Sequence, residues 1–108
     1  MTLDNLLFDR ILQQALASPR RRMHFDLRTQ AFEEGWQDMS QRMLNVLMPE
    51  TVIPIHRHPE TSETVIVCRG KVREEFYDAE GNKTAEFVMK VGSECPGIQV
   101  PMGQYHTL

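Results

Sequence analysis

Long hydrophobic runs are missing from this sequence, and no apolar stretch approaches the roughly 20 residues that a membrane-spanning helix needs, so no membrane partner is expected. Cysteine is nearly missing too. Cys68 and Cys95 are the only two, too few for a disulfide framework. Cys68 sits within the apolar run T-V-I-V-C, where a small buried thiol is expected. An excess of positive charge is also lacking: 12 Lys and Arg stand against 15 Asp and Glu, a net charge of −3. That balance gives no reason to expect nucleic acid as a partner. The N-terminus M-T-L-D-N-L-L-F-D-R carries acids where a secretory signal would carry bases, which points to a reducing cytoplasm. Repeats and low-complexity segments are absent.

What is present is enough apolar content, 41% over 108 residues, for one domain with a single core. Its most informative stretch runs from Pro54 to Gly70, P-I-H-R-H-P-E-T-S-E-T-V-I-V-C-R-G. His56 and His58 stand two apart, so in extended chain both imidazoles address one point. Glu63 opens the next apolar run and can return a carboxylate to that point if the two strands pair. Far downstream, P-M-G-Q-Y-H offers His106. Three imidazoles and a carboxylate converging from a β scaffold make a site for a first-row divalent metal. A single H-x-H is a weak signal, and histidines near prolines are common on surfaces. Here three of the four histidines fall in two segments whose turn residues fit one geometry, which favours the metal. His24 stands outside both segments and reads as a non-ligand.

The run H-x-H-x4-E-x6-G resembles the first signature motif of the cupin superfamily, and P-x-G-x2-H resembles the core of the second. The resemblance makes His56, His58, Glu63 and His106 the metal ligands and Gly70 the glycine that closes the first motif. The second motif departs from the pattern: Cys95 stands where cupins usually have a glycine, with Gly92 and Gly97 on either side. The segments A-S-P-R-R-R, Q-R-M-L-N-V-L-M-P-E-T, H-R-H and I-Q-V-P-M-G-Q-Y-H-T are together similar to the small WbuC-type cupin-fold metalloproteins. The expected fold is therefore mainly β, a single cupin (double-stranded β-helix, jelly-roll) barrel over residues 23–108. An N-terminal helix and basic segment precede it over residues 1–22. Cupin barrels continue beyond the second-motif histidine, so either this chain is a truncated segment or neighbouring chains complete the sheet. A homo-oligomer, a dimer, is expected.

Taken in order, residues 3–17 read as an amphipathic helix with Leu3, Leu7 and Ile11 on its apolar face. Thr2 is the expected N-cap, and Ser18-Pro19 the stop. Arg20, Arg21 and Arg22 follow as a basic turn, either solvated or facing a phosphate or carboxylate. Residues 24–40 read as irregular, anchored by Phe25, Phe32 and Trp36. Arg42–Met48 reads as a buried strand with Asn45 as its odd polar member, either capping a loop or pointing into the barrel towards substrate. Val52–Ile55 leads into the histidines. After Glu63, Val65 and Val67 share its face and Thr64, Ile66 and Cys68 oppose it, a strand expected to be covered on both sides. Val72–Tyr77 and Thr84–Lys90 flank D-A-E-G-N as a hairpin, and Ile98–Val100 is a short strand.

Three histidines and one glutamate leave open positions on a six-coordinate ion. This suits Fe, Mn, Ni or Co, whereas Zn more often closes as a tetrahedron. One divalent ion per chain is the expected cofactor, and Tyr105 is a candidate proton donor beside His106. The resemblance implies a small polar, sugar-like or nucleotide-sugar-like ligand in surface-polysaccharide (O-antigen) synthesis, with isomerase, epimerase or dioxygenase chemistry among the cupin possibilities. A non-catalytic ligand-binding cupin and a purely structural metal stand as alternatives. Asn45 and the arginines Arg20, Arg21 and Arg22 are the candidate substrate contacts.

Overall fold

The computed structural model describes residues 1–30 and 38–108. Phe32 and Trp36 lie outside the described residues. Among the described residues, one α-helix, a short 3-10 turn at Leu27–Gln30 and seven strands fall in two compact units, Met1–Val52 and Ile53–Leu108. The fold is mainly β, and every strand pairing is antiparallel. No helix among the described residues is long and apolar enough to cross a membrane.

In the first unit, helix α1 spans Asn5–Ala17 and buries Leu7, Ile11 and Ala15 at i, i+4 spacing. It starts two residues later than the sequence suggested. Asp4, not Thr2, is the cap: its carboxylate accepts from the Leu7 backbone N–H at 3.1 Å, while the Thr2 hydroxyl donates to Asp4 at 2.7 Å. A carboxylate at that position also meets the partial positive charge of the helix start. Ser18 ends α1 in extended geometry, as a residue preceding proline must.

Strand β1, Arg22–Asp26, runs from the expected basic turn into the segment over 24–40 expected to be irregular; it pairs with β2, Met43–Leu47. Met23 stands opposite Val46 and Phe25 opposite Leu44, giving the ribbon one partly covered apolar face. The other face carries the His24–Asn45 pair, and both residues are exposed. The expectation of a buried Asn45 therefore fails. A two-stranded ribbon has one face to cover, and Asn45 is on the other.

The second unit holds two sheets: β3 (Glu63–Ile66) with β6 (Gly97–Val100), and β5 (Lys83–Lys90), β4 (Lys71–Tyr77) and β7 (Tyr105–Thr107) in that order. Val52–Ile55 forms no strand. Alternation along β3 is as expected, but one face is open, with Ile66 at 66% exposure. The strand ends at Ile66, and Cys68 is exposed beyond it, not buried. Gly97 stands opposite Ile66 where the two backbones close up; a Cβ there would be well inside contact distance of the Val65 carbonyl oxygen.

The hairpin β4–β5 turns through Asp78–Asn82. The Asp78 carboxylate accepts from the backbone N–H of Glu80 at 3.0 Å and of Asn82 at 2.8 Å, and Gly81 supplies the left-handed φ of 86°. One face of the sheet is charged: Lys83 donates to Glu75 at 3.2 Å and to Glu86 at 3.1 Å, separating two like charges that the register sets opposite each other. The other face carries Val72, Glu74 and Phe76 from β4, Phe87 and Met89 from β5, and His106 from β7. Met89 is fully buried, and the Phe76 and Phe87 rings meet edge to face at 5.0 Å. Glu74, equally buried, is the one carboxylate on that apolar face.

Candidate metal centre

Strand β7 brings the two histidine segments together. His106 pairs with Phe76 of β4 on one side and with His56 on the other, where a single isolated bridge forms. Its two bonds run both ways: His56 N–H donates to the His106 carbonyl at 3.0 Å, and His106 N–H donates to the His56 carbonyl at 2.8 Å. The His58 carbonyl accepts from Gly103 N–H at 2.9 Å, so the H-R-H segment is held at both ends against the P-M-G-Q-Y-H turn. Residues directly opposite each other in an antiparallel pair present side chains to the same face. The His56 and His106 rings accordingly lie 4.4 Å apart between centroids, with His58 at 5.2 Å from His56 and 5.7 Å from His106.

One ligand nitrogen from each of His56, His58 and His106 lies within 4.8 Å of the others, close enough to bind a metal ion. Two of the rings are oriented by their second nitrogen. His56 Nδ1 stands 2.8 Å from the Pro54 carbonyl oxygen, an acceptor, so that nitrogen carries the proton and Nε2 is left with its lone pair. His106 Nδ1 is hydrogen-bonded to the Glu74 carboxylate, and His106 Nε2 is buried without a partner. This is the arrangement by which protein carboxylates and carbonyls fix the tautomer of metal-binding imidazoles. Glu63, at the start of β3, places its carboxylate 3.1 Å from His58 Nε2, but it is not one of the mutually close donors, which are the three histidines.

Burial sets the electrostatics. Desolvation pushes the Glu74 carboxyl up to about 7, with the Glu63 charge adding and His56 opposing. His106 is shifted the other way, below the ordinary histidine value, again mainly by burial. A neutral imidazole with a free nitrogen is the form a metal takes.

The sequence reading missed Glu74. Its signal was present in the alternation Val72–Glu74–Phe76, which sets a carboxylate between two apolar residues on one face. Tyr105 is adjacent to His106 on β7, and alternation turns it to the opposite face. There its ring lies under the Arg57 guanidinium, 5.2 Å from ring centroid to Cζ. Asn45 and the three arginines belong to the first unit: Asn45 is exposed opposite His24, and Arg20, Arg21 and Arg22 line a cavity of about 270 Å3. His24 is exposed on β1 and is not one of the clustered histidines.

Neither the curated proteins nor the solved structures offer a match to this chain. A family model does, over a span that contains the H-x-H segment, Glu63 and Glu74 and ends before His106. Described as a domain of unknown function, DUF6016, it matches residues 3–89, and the chain belongs to that family.

Proposed function

We propose that this chain is a metallo-cupin in which His56, His58 and His106, with Glu63 as fourth ligand, hold one divalent transition metal ion and present it to a small polar ligand. The observation that carries this reading is His106, whose Nε2 is buried without a partner while Glu74 fixes its other nitrogen. A buried polar atom left unsatisfied costs about 1–3 kcal/mol, and an ion shared with His56 and His58 removes that cost. Nitrogen and oxygen donors with no thiolate suit Fe, Mn, Ni, Co or Zn. Such an ion supplies Lewis acidity to whatever occupies its open positions. The chain's own part is orientation: the Pro54 carbonyl and Glu74 each hold an Nδ1 proton, which aims the two Nε2 atoms.

The finer reading, a cupin barrel of WbuC type serving sugar or nucleotide-sugar chemistry in surface-polysaccharide synthesis, rests on motif resemblance. It accommodates an enzyme or a ligand-binding protein, in a cytoplasmic homodimer. One observation favours a second reading, a metal that mainly staples the fold. The bridge between His56 and His106 is isolated from any longer ladder, so an ion across it would lock a junction otherwise held by a few hydrogen bonds. Metal analysis of the purified protein, followed by titration of nucleotide sugars into native chain and a His58→Ala variant, separates these readings. Ligand binding that needs both metal and His58 supports the proposal. Protein that binds no divalent ion refutes it, and metal that only raises the melting temperature leaves the staple.

A further inference from the structure

The turn from α1 into β1 concentrates positive charge that the metal centre does not use. Arg20, Arg21 and Arg22 line the cavity of about 270 Å3, with Glu50 and Thr51 also in its wall. Only the middle arginine is neutralised. Arg21 Nε donates to Glu50 at 2.5 Å, and an Nη donates to the Leu16 carbonyl at 2.5 Å, at the open C-terminal end of α1. That guanidinium holds the Glu50 carboxyl below the usual range. The side chains of Arg20 and Arg22 have no partner among the described residues.

The backbone here is held in an uncommon state. Arg21 has φ of 56°, the left-handed region, and is the one non-glycine residue there among those described. The conformation costs a side-chain-bearing residue about 1–2 kcal/mol. Several bonds keep it in place. Arg21 N–H donates to the Ser18 carbonyl at 3.0 Å, Met48 N–H donates to the Arg21 carbonyl at 2.9 Å, and the Thr51 hydroxyl donates to the Arg20 carbonyl at 2.7 Å. With Arg21 tied to Glu50, Arg20 and Arg22 are the two lining residues that bring uncompensated positive charge to the cavity.

We propose that this cavity binds a phosphoryl group, as free phosphate or as the phosphate monoester of a small molecule. Three guanidiniums and one carboxylate leave two positive charges. A monocarboxylate satisfies a single guanidinium fork, whereas a tetrahedral dianion answers two from different directions. The volume lies below the roughly 300–1,000 Å3 of sites that enclose whole drug-sized ligands, so it fits a head group. The proposal draws on none of the metal-centre residues, and its test separates the two.

Inorganic phosphate, glycerol phosphate and succinate are titrated calorimetrically into the full-length chain at low salt. The variants are Arg20→Ala, Arg22→Ala, Glu50→Gln and His58→Ala, each checked for native circular dichroism. The expected result is saturable phosphate binding, weakened about tenfold or more by each arginine variant. Glu50→Gln, which releases Arg21 from its acid, is expected to tighten it several-fold, and His58→Ala to leave it unchanged. Glycerol phosphate binding more tightly than inorganic phosphate marks the monoester as the natural source; the reverse marks the free ion. The proposal is overturned if phosphate does not bind, if the arginine variants bind it as well as native chain, or if succinate binds more tightly. Loss of binding in His58→Ala alone also overturns it, by assigning the phosphate to the metal.

Discussion

Glu74 is the residue whose replacement best tests the metal centre, because it touches His106 and faces no solvent. Glu74→Leu keeps roughly the same volume and removes the acceptor from His106 Nδ1. A buried ring N–H is then left without a bond, at about 1–3 kcal/mol, and the imidazole is free to turn. Loss of such an orienting partner typically lowers metal affinity 10–100-fold. Glu74→Gln keeps an acceptor oxygen in place and loses only the charge that makes the imidazole a better donor to metal, so its loss should fall near the lower end, about tenfold. The assay is competition for Co(II) against a chromophoric chelator, where the visible spectrum reports the ligand field directly. Affinity should descend in the order native, Gln, Leu, with His58→Ala below all three. Native affinity in Glu74→Leu, alongside reduced stability, would reduce Glu74 to a packing residue and remove the main support for the site.

Two further outcomes follow from the same geometry. In metal-free protein the raised Glu74 carboxyl contributes stability that is present below its ordinary value near 4.5 and is lost as pH rises through about 7. His106, lowered by burial, has the opposite sign: its contribution is present above 6.5 and is lost as pH falls. The urea midpoint of metal-free native chain, measured relative to metal-free Glu74→Gln, should therefore decline between pH 5 and pH 8; a flat difference would contradict a buried ionising carboxyl. Gly97→Ala drives a methyl group into the Val65 carbonyl and pushes β6 off β3, the strand that begins with Glu63. A loss of about 1–3 kcal/mol in chemical denaturation is expected, with weaker Co(II) binding; an unchanged midpoint would mean the two strands pack less closely than described.

Much of the centre was legible because it rests on local geometry. His56 and His58 share a face by alternation, and the glycine and proline around His106 mark the turn that delivers it. The β4–β5 hairpin was equally plain, since D-A-E-G-N states its turn chemistry. What escaped depends on tertiary choice. In K-V-R-E-E-F-Y two carboxylates stand side by side, and only the register with β7 decides that Glu74 goes inward while Glu75 meets Lys83. Strand β1 was obscured by Arg22, His24 and Asp26, whose charge masks the Met23–Phe25 alternation that β2 covers. Asn45 was misjudged because an apolar run looks the same whether one face or two are buried. Helix entry was placed two residues early because Thr2 looks like a cap, whereas its hydroxyl serves Asp4, whose carboxylate takes the Leu7 N–H.

The isolated bridge between His56 and His106 also bears on how the chain folds. The two positions are about fifty residues apart, and closing a loop of that length costs on the order of 3–4 kcal/mol by the (3/2)RT ln n relation. No neighbouring ladder shares that cost on the His56 side. The β4–β5 hairpin closes over a few residues, whereas the histidine cluster needs one of the longest-range contacts in its unit, beside the bond from the Thr107 hydroxyl to the Ile53 carbonyl. An ion meeting the unfolded chain finds only the H-x-H pair, which is too small a set to direct folding. An ion bound there would therefore act on the finished structure, with its influence on the rate of opening. A cell that withholds the ion would still fold this protein at its usual speed and then lose it sooner.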